Sequence, residues 1–119
     1  MMDCVFCQPQ PYVLENDRAA AFFDINPVSL GHLLIIPKQH YATIFDVPQA
    51  DKQAMLDLID QAKAYLDERY QPDGYNIGIN VGTAAGQTVM HCHIHLIPRY
   101  HGDTPNPEGG IRKLLPSEK

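Results

Sequence analysis

The chain has no apolar run approaching the roughly 20 residues of a membrane-spanning helix. Its opening stretch, "MMDCVFCQPQP", lacks the charged-then-apolar pattern of a secretory signal. A cytoplasmic protein without membrane contact is therefore expected. Positive charge is also scarce: 9 lysines and arginines stand against 14 aspartates and glutamates, a formal net charge of −5. That balance argues against coating a nucleic acid, which needs a basic surface, but a locally positive pocket could still hold a small anion. Cysteine is sparse and odd in number, Cys4, Cys7 and Cys92, so no disulfide framework is expected. Internal repeats and low-complexity blocks are absent. At 119 residues, 45% hydrophobic and 19% charged, the composition is that of one globular domain spanning 1–119.

Cys4-x-x-Cys7 has the spacing of a metal pair or a redox pair. A redox pair opens a helix, whereas "QPQPY" follows here and its prolines obstruct one. Metal is favoured, given two further ligands. Cys92 reads as a small buried hydrophobe. "YVLEN" and "RAAAFFDI" read as short strands joined at Asn16–Asp17, and "HLLIIP" (His32 to Pro37) as a central strand. From Pro48 the period changes: Met55, Ile59, Ala62 and Leu66 recur at helical spacing, with most charged residues between Asp51 and Asp67 directed elsewhere. Pro48 suits the first turn, and "QPDG" stops the helix near Tyr70. "YNIGINVG" alternates as a strand, and the proline- and glycine-rich tail, 101–119, reads as irregular surface chain. Five strands and one long helix predict an α+β domain on a mainly antiparallel sheet, with residues 1–12 as a short Cys-x-x-Cys arm.

In "VMHCHIHLIPR", His91, His93 and His95 alternate, half of the chain's six histidines. Val89, Ile94, Leu96 and Ile97 mark a strand, so the imidazoles share one side and Cys92, Ile94 and Leu96 the other. Three readings compete: solvated side chains, a three-histidine metal site, or a phosphate site with a histidine nucleophile. Strand residues i and i+4 lie roughly 13 Å apart at Cα, so one tetrahedral ion cannot easily gather all three. A neutral imidazole can attack phosphorus while its neighbours orient it and donate hydrogen bonds. The phosphate reading is favoured.

"AGQTVMHCHIHLIPRY", with "FDINPVSLGHLLIIPKQH" upstream, resembles the histidine-triad (HIT) family of nucleotide hydrolases and transferases. Its motif, His-φ-His-φ-His-φ-φ with φ apolar, is matched by His91–Ile97. "GDTPNPEGGIR" is similar to members that cleave dinucleoside polyphosphates such as diadenosine tetraphosphate. The resemblance implies a HIT-like fold and cleavage of a phosphoanhydride or phosphoramidate at the α-phosphorus through a nucleotidyl-histidine intermediate. It makes His93 the nucleophile, sets His95 at the α-phosphate and leaving group, and makes His91 and His32 the remaining site histidines. Gln87 and Thr88 match a loop contacting phosphate or leaving group, and Asn80 a phosphate-side position. Asp24 and Asn26 match the segment lining ribose and base, with Phe23 and Ile25 as apolar walls.

Some relatives, and the distantly similar galactose-1-phosphate uridylyltransferases, hold a structural zinc; the corresponding set here is Cys4, Cys7, His40 and His91. The resemblance further implies a small-molecule nucleotide substrate, able to arrive as a magnesium complex, and a homodimer paired through the long helix and an edge strand. Phosphorolysis instead of hydrolysis, and slow-turnover nucleotide binding by a regulator, are the alternatives. One departure stands out. Many members insert a helical stretch and a longer strand where this chain has only "QPQPYVLENDRAA", which leaves the base side of the pocket undefined.

Overall fold

Asn16 closes the first hairpin through its own side chain. Its oxygen accepts the amides of Arg18 and Ala19, and its nitrogen donates to the Ala54 carbonyl, so the turn is tied to the helix as well as to itself. In this computed structural model, which describes residues 4–114, the hairpin joins β1 (Leu14–Glu15) to β2 (Ala19–Phe23). β3 (Leu33–Pro37), α1 (Gln49–Tyr70), β4 (Gly74–Gly78) and β5 (Ile94–Arg99) follow. The sheet order is β1-β2-β3-β5-β4, and every neighbouring pair is antiparallel. The α+β expectation holds.

α1 begins directly after Pro48, whose carbonyl accepts the Lys52 amide. It ends at Gln71 in the left-handed region (φ 51°), followed by Pro72. Met55, Leu58, Ala62 and Leu66 are buried against Ala19, Ala21, Leu33, Ile35, Cys92, Ile94 and Leu96. The small side chains of β2 let the helix sit close to the sheet. Leu58 is the fully buried member where the periodicity had favoured Ile59, which is only partly buried at the margin. The stripe is thus intramolecular core. Asp51 is buried too, held by Arg18 Nη1 at 2.7 Å and the Tyr41 hydroxyl at 3.1 Å; ionic partners make its burial tolerable. No helix among the described residues is long and apolar enough to cross a membrane.

On the sheet's other face Ala20, Phe22, Leu34 and Ile36 pack with Phe6, which sits in a 3-10 turn, Val5–Cys7. The short arm therefore covers the face that α1 leaves free. One expectation needs correction: the histidine segment is not one continuous strand. β5 starts at Ile94, so only His95 of the three lies in the ladder. The Cys92 amide donates to the Tyr41 carbonyl at 2.7 Å, and Pro37, at the end of β3, has no N–H to extend the pairing. The alternation of faces survives, with Cys92, Ile94 and Leu96 on the helix side. Burial pushes the Cys92 thiol up to about 11, which makes it inert. The tail forms turns and a 3-10 turn, Gly110–Leu114; residues 115–119 lie outside the described residues.

Candidate active site

The register of the central strands builds the site. Leu34 pairs with His95, and Gly78 pairs with it from the other side. His32 enters β3 from Gly31, which has φ +92°; a Cβ there would sit 3.0 Å from the Tyr70 ring. The centroids of His93 and His95 are 5.0 Å apart, and those of His32 and His95 5.2 Å.

Hydrogen bonds assign the tautomer of each ring, because a carbonyl can only accept and a backbone amide can only donate. His93 Nδ1 lies 2.8 Å from the His91 carbonyl oxygen, so Nδ1 carries the hydrogen and Nε2 keeps its lone pair. His32 Nδ1 accepts from the Val28 amide at 3.0 Å, so its hydrogen is on Nε2, which donates to His95 Nδ1 at 3.0 Å. The hydrogen of His95 is then on Nε2. The two rings lining the cavity thus present opposite characters: a lone pair on His93 and an N–H on His95.

Burial first, and then the neighbouring His93 and His32, push His95 down to about 4, against a small opposing effect of Asp24. Burial also lowers His32, with Asp24 again opposing. Both rings are neutral at pH 7. The folded chain resists these protonations, whereas the unfolded chain takes them up near pH 6.5. Stability should therefore rise with pH across roughly pH 4 to 6.5. The His95 share is on the order of 1–2 kcal/mol after allowance for its partial exposure. Urea unfolding of the wild type and His95→Gln from pH 4 to 7 should show the shallower slope in the variant.

His93 and His95 line a cavity of about 340 Å³, together with Val5, Phe6, Gln10, Phe22, Asp24, Ile25, Asn26, Leu34, Asn80, Gly86, Thr88 and Val89. Its volume falls in the range of small-molecule sites. No lysine or arginine is among these residues, so an anion here would be held by neutral donors. A larger, more open cleft of about 500 Å³ lies against the tail. Its Arg99 is consumed by Asp103 and Asn76, and the triad is elsewhere.

Of the residues expected at the site, Asp24, Asn26, Ile25, Asn80, Thr88, His93 and His95 line the cavity, and His32 stands behind His95. Asp24 also shapes its own turn, accepting the Asn26 amide at 2.9 Å. Two expectations are corrected. Phe23 packs on the helix side, its ring 6.5 Å from Tyr65; strand alternation puts Phe22 on the cavity wall instead. Gln87 is buried, and its nitrogen donates to the Ala42 and Val89 carbonyls while its oxygen accepts from Gly82. It braces the loop and has no free atom for a phosphate. Val5, Phe6, Gln10, Phe22, Leu34, Gly86 and Val89 were not foreseen. Phe22, Phe23, Leu33 and Leu34 are all apolar, so no pattern marks which of them face the cavity, and the arm residues carry no signal either.

His91 turns away from the cavity. Its Nε2–H donates to the Pro37 carbonyl at 2.9 Å, leaving the Nδ1 lone pair 3.2 Å from Cys4 Sγ and 3.5 Å from Cys7 Sγ. His40 Nδ1 is 3.4 Å from Cys7 Sγ. One ligand atom from each of Cys4, Cys7, His40 and His91 lies within 4.8 Å of the others. Around a tetrahedral zinc ion, sulfur and nitrogen ligands sit about 3.6 Å apart, so the set fits the ion. The Pro37 carbonyl is the outer partner that such a ligand histidine commonly has. Asp24, His32 and His95 form a second close group, but the Val28 amide holds His32 in the tautomer whose Nε2 bears hydrogen.

An antiparallel sheet under one long helix, with alternating histidines leading into the interior strand β5, is the architecture of the histidine-triad class. Residues 6–102 match the HIT domain family, and the chain belongs to that family. Adenylylsulfatase HINT3 of Arabidopsis thaliana is 38% identical over 107 residues, covering 85% of this chain and 54% of the plant protein. Adenosine 5'-monophosphoramidase hnt1 of Schizosaccharomyces pombe is 34% identical over 122 residues, 98% of this chain and 85% of the yeast protein. The crystal structure of a zinc-bound histidine triad family protein from Mycobacterium smegmatis superposes with a TM-score of 0.78 at 35% identity, covering 95% and 91% of the two chains.

Proposed function

We propose that this protein hydrolyses a nucleoside 5′-phosphate derivative at its α-phosphorus, with His93 as nucleophile. The observation that carries this reading is the His93 tautomer: Nδ1–H is locked on the His91 carbonyl and Nε2 is left to the cavity. Nε2 attacks phosphorus in line, the P–N bond forms, and the bond to the leaving group breaks, sulfate departing as the anion and an amine after its nitrogen has taken a proton from solvent. The ring becomes cationic, and the carbonyl held by Nδ1–H stabilises that charge. Water then attacks the nucleotidyl-histidine, the P–N bond breaks, the mononucleotide leaves and the water's proton goes to solvent. His95 Nε2–H donates a hydrogen bond to a phosphoryl or leaving-group oxygen. Its low pKa and neutral state suit it to that role and not to full proton delivery. Asn80 and Thr88 supply further neutral donors to the phosphate, and Asp24 and Asn26 face the ribose.

The absence of lysine and arginine among the described residues of the cavity lining favours a short leaving group of low charge. Sulfate or an amine therefore ranks ahead of a dinucleoside polyphosphate, which would have to bring magnesium to screen its phosphates. The relatives named as an adenylylsulfatase and a monophosphoramidase support the same ranking. Zinc held by Cys4, Cys7, His40 and His91 would have no open position and would clamp the arm to the sheet. A second copy would pair along edge strand β4, where Ile77 is exposed and Ile79 lies exposed just beyond. The substrate ranking is tested by kcat/KM for adenylylsulfate, AMP phosphoramidate and diadenosine tetraphosphate, each in water and in phosphate buffer. We expect the first two to be preferred and AMP to form in both buffers. Preference for the tetraphosphate would refute the ranking, and ADP formed in phosphate would make the protein a phosphorylase. Binding without turnover would make it a regulator.

A further inference from the structure

The cavity's arm-side wall comes from Val5, Phe6 and Gln10. Val5 and Phe6 are apolar, and Phe22 and Leu34 continue that surface from β2 and β3. Among the described arm residues there, Gln10 alone has a hydrogen-bonding side chain. Its carboxamide is also oriented. Nε2 donates to the Val5 carbonyl at 2.8 Å, and since that carbonyl can only accept, nitrogen and oxygen cannot exchange places without losing the bond. The Gln10 backbone is fixed as well, its carbonyl accepting the Tyr12 amide at 2.9 Å. Oε1 has no hydrogen-bond partner among the described residues. An apolar wall with one oriented acceptor is complementary to a flat ring bearing a donor on its edge.

We propose that Gln10 reads the nucleobase: Oε1 accepts a hydrogen bond from an exocyclic amino group, so the pocket selects a 6-aminopurine nucleotide over its 6-oxo counterpart. This rests on the nucleotide reading above and deepens it. An oxo group against Oε1 would set two acceptors face to face and leave both unpaired, a cost that corresponds to roughly tenfold or more in affinity. Asp24, the acidic side chain among the described lining residues, accepts the Asn26 amide at 2.9 Å and faces the ribose in the reading above, away from the Gln10 wall.

The test is calorimetric binding of AMP, IMP and purine riboside monophosphate, which bears only hydrogen at the 6-position, to the wild type and Gln10→Met. The wild type should bind AMP about tenfold tighter than IMP. In Gln10→Met the AMP advantage should fall to within about twofold, while purine riboside monophosphate binds as it does to the wild type. Equal weakening of all three nucleotides would show that Gln10 only braces the arm, and overturns the inference. Equal wild-type affinity for AMP and IMP overturns it too, while hydrolysis of adenylylsulfate or AMP phosphoramidate keeps the nucleotide reading intact. Failure of all three to bind overturns both.

Discussion

His93→Ala is expected to lower kcat by about 10⁴-fold or more, the scale seen when a covalent nucleophile is removed, with nucleotide affinity changed only a few-fold. The rest of the cavity explains the second half of that expectation. Among the described residues, Thr88, Asn80 and the Asp24 turn, which line the cavity, make no hydrogen bond to the His93 ring. The His32–His95 pair is likewise held from elsewhere, by the Val28 amide. The loss that does follow is the edge contact of Phe6 with the ring, 5.2 Å between centroids at 90°, so a small drop in thermal midpoint should accompany the kinetic loss. Steady-state kinetics with calorimetry and a thermal melt measure all three. Substantial residual turnover in His93→Ala would mean that water attacks directly and that His93 merely binds phosphate.

Stripping zinc with a strong chelator, or substituting Cys4→Ser, is expected to lower the thermal midpoint by about 10 °C or more. An ion bound to the folded state at a thousand times its dissociation constant stabilises by about 4 kcal/mol, and a domain of this size shifts a few degrees per kcal/mol. The arm explains the accompanying change in the pocket. Val5 and Phe6 lie between the two cysteines and line the cavity, and the Phe6 ring is 5.4 Å from Phe22 at 76°. Without the ion, desolvation and the neighbouring Cys4 both raise the Cys7 thiol, so its sulfur holds its proton. Nucleotide affinity should fall with zinc content, while kcat falls far less than in His93→Ala. Metal analysis should give one zinc per chain in the untreated protein and none in Cys4→Ser. Unchanged melting after verified metal removal would contradict a structural ion.

Much of this was legible in the sequence because period carries face. Alternation through Cys92, Ile94 and Leu96 identified the buried side of the triad segment, and helical spacing located α1. What period cannot report is where a ladder stops. The end of β5 pairing depends on Pro37, in another strand, and on the Tyr41 carbonyl, which captures the Cys92 amide. Parity failed at Phe22 and Phe23 for a related reason: both are apolar, so the pattern there does not say which faces the helix. Gln87 stands in the loop that the resemblance sets at the phosphate, and its chain neighbours Gly86 and Thr88 do line the cavity. Its three hydrogen bonds, to Gly82, Ala42 and Val89, span segments that no local reading joins. The metal set came from a resemblance, and the distances among its ligand atoms support it.

The most direct measurement is to trap the reaction on adenylylsulfate in alkali, where the acid-labile P–N bond survives, and to map the modified peptide by mass spectrometry. An AMP adduct on His93, formed within one turnover and absent from His93→Ala, is the predicted result. No adduct during steady turnover, or an adduct on His95, would contradict a nucleotidyl-His93 intermediate.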